Sequence, residues 1–273
     1  MRRREPAVAG SFYPAEPDRL RTSLTELLDD ARAHRAGTDV ITPKAIIAPH
    51  AGYAYSGPVA ASAYAAVAPL HDVVQRVVLF GPAHRAPLEG LAVPSVDAFI
   101  TPLGPVEIDT HARETALACP GVSVDDIAHA AEHSLEVHLP FVQFVLRTDV
   151  RVLPVVVGRT SAQTIAAVVD ALWGGRETLI VVSSDLSHYE PYEVAQRHDR
   201  HTAQAIVTGA IDAIGPRDAC GAYPVRGLLV AAGRHRLGIQ ELDLRNSGDT
   251  AGPADRVVGY GAFALGARPS GTR

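Results

Sequence analysis

The sequence predicts an α/β fold in which a mainly parallel sheet carries helices on both faces. Short apolar runs, typical of buried strands, alternate along the chain with stretches of helical periodicity, which is the pattern of βαβ units. Three of these runs lead into segments that bear histidine, as expected where ligands bind at the carboxyl edge of such a sheet. No long linker and no internal repeat divides the chain, so we expect a single domain over residues 1–273.

The predicted elements follow in chain order. Leucines at helical spacing in Pro17–Arg35 indicate an amphipathic first helix. Apolar runs indicate strands around Ile46 and Ile47 and at Val77–Phe80, Val152–Val157, Leu179–Val182 and Val257–Leu265. Further helices are predicted for the Ala-rich stretch that follows the loop Gly52–Pro58 and ends near Val67, and for Thr110–Ala118, Leu135–Leu146, Gln163–Leu172, Glu193–Val207 and Val225–Ala232. The proline-containing region Leu91–Asp109 predicts short strands that form a hairpin at one end of the sheet.

Composition and charge narrow the class of protein. The residues are 47% hydrophobic and 20% charged, as in ordinary soluble globular proteins. The net charge of −5 argues against nucleic acid as a partner. No apolar run reaches the roughly 18 residues of a membrane span, and none follows Arg2–Arg4 as in a signal peptide. Two cysteines cannot form a disulfide framework, so we expect a cytoplasmic protein without nucleic-acid or membrane partners.

Histidines placed just past predicted strands indicate a metal site. His50 and His84 each follow one strand, and Asp185 with His188 follows a third. Strands that end at the same edge of a sheet can bring these side chains to one point, and imidazole with carboxylate suits iron, zinc, copper or nickel. The alternative for His50 is a histidine that caps a strand end, and for Ser183–His188 a helix N-cap. Burying that polar segment without partners would be costly, which favours a functional cluster.

Two further segments carry candidate chemistry. Residues Glu132–Pro140 open a predicted helix with Ser134 as its N-cap, and there His133 and Glu136 can share a face as acid/base residues or as groups that orient a ligand. The alternative is a solvated polar first turn. Cys220 precedes an apolar helix, where a thiolate can bind a metal or act as a nucleophile. A free cysteine is more often a small buried apolar side chain, and we assign that role to Cys119.

The order of these motifs resembles the Memo family, whose prokaryotic members are called AmmeMemoRadiSam system protein B. The resemblance runs from about Arg4 to Leu265 and rests on Ala9–Pro14, Pro49–Gly57, Gly81–His84, Glu132–Pro140, Ser183–His188 and Cys220–Pro224. It implies a three-layer α/β sandwich like that of LigB-type class III extradiol dioxygenases, which use non-haem iron. It also implies a functional link to radical SAM and AMMECR-type proteins. The family's metal pocket of two histidines, a cysteine and a nearby aspartate and histidine falls on His50, His84, Cys220, Asp185 and His188.

These observations predict a metal-dependent protein of unidentified substrate. The resemblance implies iron or copper, and zinc also suits the donors. We expect an oxidoreductase in which His50, His84 and Cys220 bind the metal, while Asp185, His188, His133 and Glu136 are candidate catalytic residues. Two alternatives stay open: a non-catalytic module that binds a metal or a peptide, and a metallohydrolase that uses metal-bound water. In each case the pocket would take a small molecule or a peptide.

Overall fold

The computed structural model describes residues 2–34 and 40–267. Its strands are Arg3–Arg4 (β1), Pro43–Ala48 (β2), Arg76–Pro82 (β3), Leu91–Val93 (β4), Ala98–Thr101 (β5), Gly104–Glu107 (β6), Val122–Val124 (β7), Arg151–Val157 (β8), Thr178–Ser183 (β9), Asp185–Glu190 (β10), Gly238–Asn246 (β11) and Val257–Gly266 (β12). Its α-helices are Pro17–His34 (α1), Tyr53–Val67 (α2), Thr110–Leu117 (α3), Asp126–Ala130 (α4), His133–Glu136 (α5), Leu139–Val145 (α6), Ala162–Ala171 (α7), Tyr192–Thr208 (α8) and Ala222–Arg234 (α9). Arg35, the predicted end of the first helix, lies outside the described residues.

A nine-stranded sheet forms the centre of the molecule, in the order β10-β12-β2-β9-β3-β8-β4-β7, with β11 also paired to β12. Strands β2, β9, β3 and β8 are parallel to one another, whereas β12 is antiparallel to β2, β10 and β11, and β4 is antiparallel to β8. The sheet is therefore mixed rather than mainly parallel. Short connections accompany the antiparallel strands, because a parallel crossover needs a dozen or more residues, whereas only residues 83–90 separate β3 from β4 and residues 247–256 separate β11 from β12.

Helices cover both faces of this sheet, as predicted. Every residue of β9 is buried, and since successive side chains of a strand point to opposite faces, both faces must be covered. Helices α1, α2 and α6 pack together, with α2 against β2 and β12. Helices α7 and α9 pack on each other, with α9 against β9 and β3. The α/β sandwich is confirmed, and within the described residues no helix is long and apolar enough to cross a membrane.

Four local predictions need correction or refinement. The proline-containing region forms the predicted hairpin, β5–β6, but it belongs to a separate three-stranded sheet with β1. The predicted helix Leu135–Leu146 is two short helices, α5 and α6, with Pro140 in the first turn of the second. The stretch from Asp185 to Glu190 is strand β10 rather than a helix start, and the predicted loop Gly52–Pro58 already belongs to α2 from Tyr53 onward.

Candidate metal centre

Three segments meet at the carboxyl edge of the parallel strands. His50 lies two residues past β2 and His84 two residues past β3, and both strands pair in register with β9 between them. Cys220, just before α9, joins them because its backbone N–H donates to the Asp185 carbonyl at 3.2 Å. One donor atom each from His50, His84 and Cys220 lie within 4.8 Å of one another. This is the compact group of nitrogen and sulfur ligands that a transition metal requires.

The tautomer of His50 is set by two serines. The Ser183 hydroxyl donates its single hydrogen to the Ser134 carbonyl at 2.6 Å, so it must accept at its 2.5 Å contact with His50 Nδ1. The ring hydrogen therefore sits on Nδ1, and Nε2, 3.5 Å from Cys220 Sγ, carries the lone pair. Burial and the neighbouring imidazoles lower the pKa of His50 well below its usual value. The ring stays neutral at pH 7, which is the form that binds a metal.

The tautomer of His84 is set by a carboxylate. Glu132 Oε1 lies 3.0 Å from His84 Nδ1, while Oε2 accepts the backbone N–H of His84 at 2.6 Å. An ionised carboxylate can only accept, so Nδ1 carries the hydrogen and Nε2 is left free. Burial acts to raise the pKa of Glu132, but hydrogen bonds from His84 and Ser134 outweigh it and hold the pKa at about 2. A carboxylate that accepts the second N–H of a ligating histidine is the usual support of a metal site.

Cys220 is held in place by the turn before α9. Gly221 follows it, and a Cβ at that position would lie 2.5 Å from the Ser183 carbonyl, so only glycine fits here. The Gly221 N–H donates to Ser184 Oγ at 3.0 Å. Burial and the nearby Asp185 carboxylate raise the pKa of the Cys220 thiol. The thiol therefore keeps its proton until a cation next to it stabilises the thiolate.

Asp185 and His188 lie beside this group without belonging to it. The buried Asp185 carboxylate accepts the backbone N–H of His50 at 2.7 Å, and burial raises its pKa. His188 is exposed, and its Nδ1 donates to the Leu186 carbonyl at 2.8 Å, which leaves Nε2 with the lone pair. Asp185 thus fixes the loop that carries His50, and His188 offers a basic nitrogen at the edge of the pocket.

His133 and Glu136, predicted to act as a pair, lie in different surroundings. The His133 ring lies 4.8 Å from that of His84 and 5.5 Å from that of His50, and burial lowers its pKa to about 4. Glu136 is fully buried and ion-paired with Arg4. It also accepts the Tyr13 hydroxyl at 2.6 Å and backbone N–H groups of residues 7 and 8 at 2.8 and 3.0 Å. His133 therefore lies in the pocket, whereas Glu136 anchors the start of the chain.

Two pocket residues were not singled out from the sequence. Glu132 was expected only as part of a motif, with Ser134 as the N-cap of the helix; in the structure Glu132 itself caps α5 by accepting the Ser134 N–H. Phe12 packs its ring 4.9 Å from that of His133. An acidic residue beside a histidine is the local signal for Glu132, and Phe12 belongs to the motif Ala9–Pro14 but was assigned no role.

Comparison with known proteins shows the family of this chain. A family model described as Memo-like protein matches residues 4–264. The chain belongs to the Memo family. MEMO1 family proteins of Methanopyrus kandleri, Methanosarcina barkeri and Aquifex aeolicus are 36%, 37% and 37% identical, each over 95% of this chain and 98% of the relative. An uncharacterized protein of Escherichia coli K12 has a TM-score of 0.48 at 13% identity, over 81% of this chain and 98% of that chain.

The motifs that resemble the Memo family contain the residues that the structure brings together here. The Memo-like motifs that begin at Pro49, Gly81 and Cys220 supply the three donors that lie within 4.8 Å of one another. The motif Glu132–Pro140 supplies the carboxylate that orients His84 and the His133 ring. The donor set, two imidazoles and a thiol, fits a first-row transition metal by its chemistry.

Proposed function

We propose that this Memo protein is a metal-dependent oxidoreductase, with one iron or copper ion held by His50, His84 and Cys220. The observation that carries the proposal is the pair of locked tautomers. Ser183 and Glu132 each take the Nδ1 hydrogen of one histidine, so that both rings keep a free Nε2 lone pair beside one thiol. Cys220 Sγ lies 3.5 Å from His50 Nε2, so a metal ion that binds here would displace the thiol proton from this contact.

The protein side of the chemistry follows from these contacts. His50 and His84 hold their nitrogens in fixed directions, and Cys220 gives up its proton when a cation binds. When bound, iron or copper supplies a Lewis acid and a redox couple next to the remaining coordination positions. His188 Nε2 can accept a proton from a ligand at the pocket edge, and Asp185 keeps the His50 loop in place. His84 is partly exposed, with 27% of its side-chain surface accessible, so a small molecule or a peptide can reach this side.

The thiol sets a limit on the reaction. Ring cleavage of catechols needs Fe(II) on two histidines and a carboxylate with open positions, and Cys220 replaces the hard carboxylate by a softer thiolate. We therefore expect no robust cleavage of protocatechuate, even with Fe(II) supplied without air. Turnover to a yellow ring-opened product that is lost in His50→Ala would contradict this expectation.

Metal content tests the site directly. The variants His50→Ala, His84→Ala and Cys220→Ser should each lose more affinity for iron or copper than the about 10–100-fold that loss of a supporting residue costs, because each removes one of three ligands. Cys119→Ser is the matched control: its thiol contacts the Thr115 carbonyl at 3.6 Å, on α3, and its metal content should equal that of the parent. Elemental analysis of protein purified without air gives the comparison. Unchanged metal in both histidine variants would make the imidazoles structural.

A metallohydrolase is the second candidate, and the thiol is the observation that favours it. A thiolate with two imidazoles is a good donor set for Zn²⁺, which has no redox chemistry and activates water. Oxygen uptake separates the two functions. Uptake that depends on His50 supports the oxidoreductase, whereas zinc as the resident metal with no uptake supports the hydrolase.

A further inference from the structure

A second group of metal donors lies beside the first and shares one imidazole with it. His84, Glu132 and His133 each offer one ligand atom, and these atoms lie within 4.8 Å of one another. The group contains two imidazoles and a carboxylate, whereas the first group contains two imidazoles and a thiol. The two sets therefore differ in hardness, and the second suits Zn²⁺ and similar divalent ions in their carboxylate-containing sites.

The distances within this second group are those of ligands around one ion. Glu132 Oε1 lies 3.0 Å from His84 Nδ1 and 3.3 Å from His133 Nδ1. Ligand atoms at about 2.0–2.1 Å from a tetrahedral ion are about 3.3 Å apart. The Glu132 oxygen therefore already lies at ligand spacing from both imidazole nitrogens, and the ligand atoms of the two imidazoles lie within 4.8 Å of each other.

One nitrogen of the group lacks a hydrogen-bond partner among the described residues. His133 Nδ1 is buried and makes no hydrogen bond, although it lies 3.3 Å from Glu132 Oε1, because the atoms are not aligned for one. A buried polar atom without a partner calls for a reason, and an ion is among the usual ones. The ring packs against both Phe12 and His84, with centroids at 4.9 and 4.8 Å, and these contacts restrict its rotation.

The carboxylate is held in a fixed direction by the backbone. Glu132 accepts the N–H of His84 on Oε2 at 2.6 Å and the N–H of Ser134 on Oε1 at 2.9 Å. Each carboxylate oxygen has two lone pairs. On Oε1 one lone pair accepts the Ser134 N–H, and the other accepts the hydrogen of His84 Nδ1. If the hydrogen of His84 Nδ1 leaves, this Oε1 lone pair and the Nδ1 lone pair of His84 could both bind one cation.

We propose that His84, Glu132 and His133 form a second binding site for a divalent transition-metal ion, joined to the first through the two nitrogens of His84. This inference rests on the proposed function in one respect, that Nε2 of His84 serves the first ion. On binding of the second ion, bonds form to His84 Nδ1, Glu132 Oε1 and His133 Nδ1, and the Nδ1 proton of His84 passes to solvent. The second ion binds more weakly than the first, because two cations then share one imidazolate.

Cobalt titration of the full-length, metal-free protein under nitrogen tests the second site. Thiolate-to-cobalt charge transfer in the near ultraviolet reports on Cys220, while visible d–d bands report on every bound Co²⁺. We expect charge transfer to saturate at the first equivalent and d–d absorption to rise to a second. We also expect proton release, followed with a pH indicator, to continue through the second equivalent.

Variants assign the two steps to their residues. His133→Ala should bind one Co²⁺ and keep the charge-transfer band, which also shows that the variant is folded; His133→Gln should do the same. Cys220→Ser should lose the band and keep Co²⁺ at the second site. The control His111→Ala removes an exposed histidine of α3 and should still bind two ions.

The possible outcomes separate this inference from the proposed function. Saturation of the parent protein at one equivalent with charge transfer, or two equivalents in His133→Ala, overturns the second site and leaves the first. Binding without any charge-transfer band overturns the first site instead. A titration with two binding steps, of which His133→Ala loses only the second, supports both the first and the second metal site.

Discussion

Glu132 and Glu136 lie four residues apart in the chain, both almost completely buried, and they stabilise different parts of the molecule. Glu136 has an arginine, a tyrosine hydroxyl and two backbone N–H groups around it, all contributed by the first residues of the chain. Glu132 has two imidazoles and two backbone N–H groups around it, from the pocket. Every donor at Glu136 is already used for folding, whereas one histidine nitrogen at Glu132 is not.

Arg4 contacts both glutamates, Glu136 through its carboxylate and Glu132 through its backbone carbonyl. It forms an ion pair with Glu136 and donates to the carbonyl groups of Glu132 and His129 at 2.8 and 3.0 Å. The comparison therefore teaches that a buried carboxylate is not by itself a sign of function. A guanidinium is the counter-ion of Glu136, whereas Glu132 has two imidazoles beside its carboxylate.

The largest effect on stability should come from replacing Glu136. Glu136→Ala leaves Arg4 buried without its counter-ion, and removing one partner of a buried ion pair costs about 3–5 kcal/mol. We expect that loss in the free energy of unfolding, measured by urea denaturation. The exposed Glu114→Ala on α3 should stay within about 0.5 kcal/mol of the parent. A loss below about 1 kcal/mol in Glu136→Ala would mean that the start of the chain contributes little to stability.

Replacing Glu132 should have a smaller effect on stability, but it should specifically lower the affinity for metal. Glu132→Ala removes the cap of α5, worth about 1–2 kcal/mol, and frees the His84 ring. Loss of such a supporting group lowers metal affinity about 10–100-fold. Competition with a chelator measures the affinity, and Glu136→Ala at a temperature where it is folded serves as the comparison. Equal losses of affinity in both variants would remove the distinction between the two carboxylates.

The smallest effect should appear in the dependence of stability on pH. Burial lowers the pKa of His129, beside Arg4, to about 4. In the unfolded chain a histidine has a pKa near 6.5, so below that pH the unfolded state binds a proton that the folded state does not. Stability therefore falls as the pH falls from about 6.5 towards 4, by about 1 kcal/mol between about pH 7 and 5.5 for this residue. His129→Gln should lose that part of the slope with a chelator present; an unchanged slope would assign it to other groups.

From the sequence, the position of a site residue could be predicted when that residue directly follows a strand. His50 and His84 follow apolar runs directly, so the edge of the sheet to which they belong could be inferred. The place of Cys220 came from the resemblance to the Memo family, since a turn before a helix has no strand pattern to locate it. The prediction of a mainly parallel sheet was wrong because β10 and β11 carry few apolar residues and gave no strand signal.

Long-range partners set the limit of such predictions. Glu132 and His84 are 48 positions apart, and Glu136 and Arg4 are 132 apart. Both carboxylates lie in one polar motif, and only the packing of α5 against the strand ends decides which of them meets a histidine. A pattern of residue types cannot distinguish a carboxylate that meets an imidazole from one that meets an arginine.

The position of β12 has a consequence for the newly synthesised chain. This strand follows all the pocket residues in sequence, yet it pairs with β2 and with β10, where Tyr260 lies opposite Asp185. Until it emerges from the ribosome, β2 keeps one open edge, made of the apolar residues Ala45, Ile46 and Ile47. Open apolar edges pair with other chains, so we expect this interval to be the one in which the nascent protein is most prone to aggregate. A metal ion would then find its complete pocket only after the last strand has arrived.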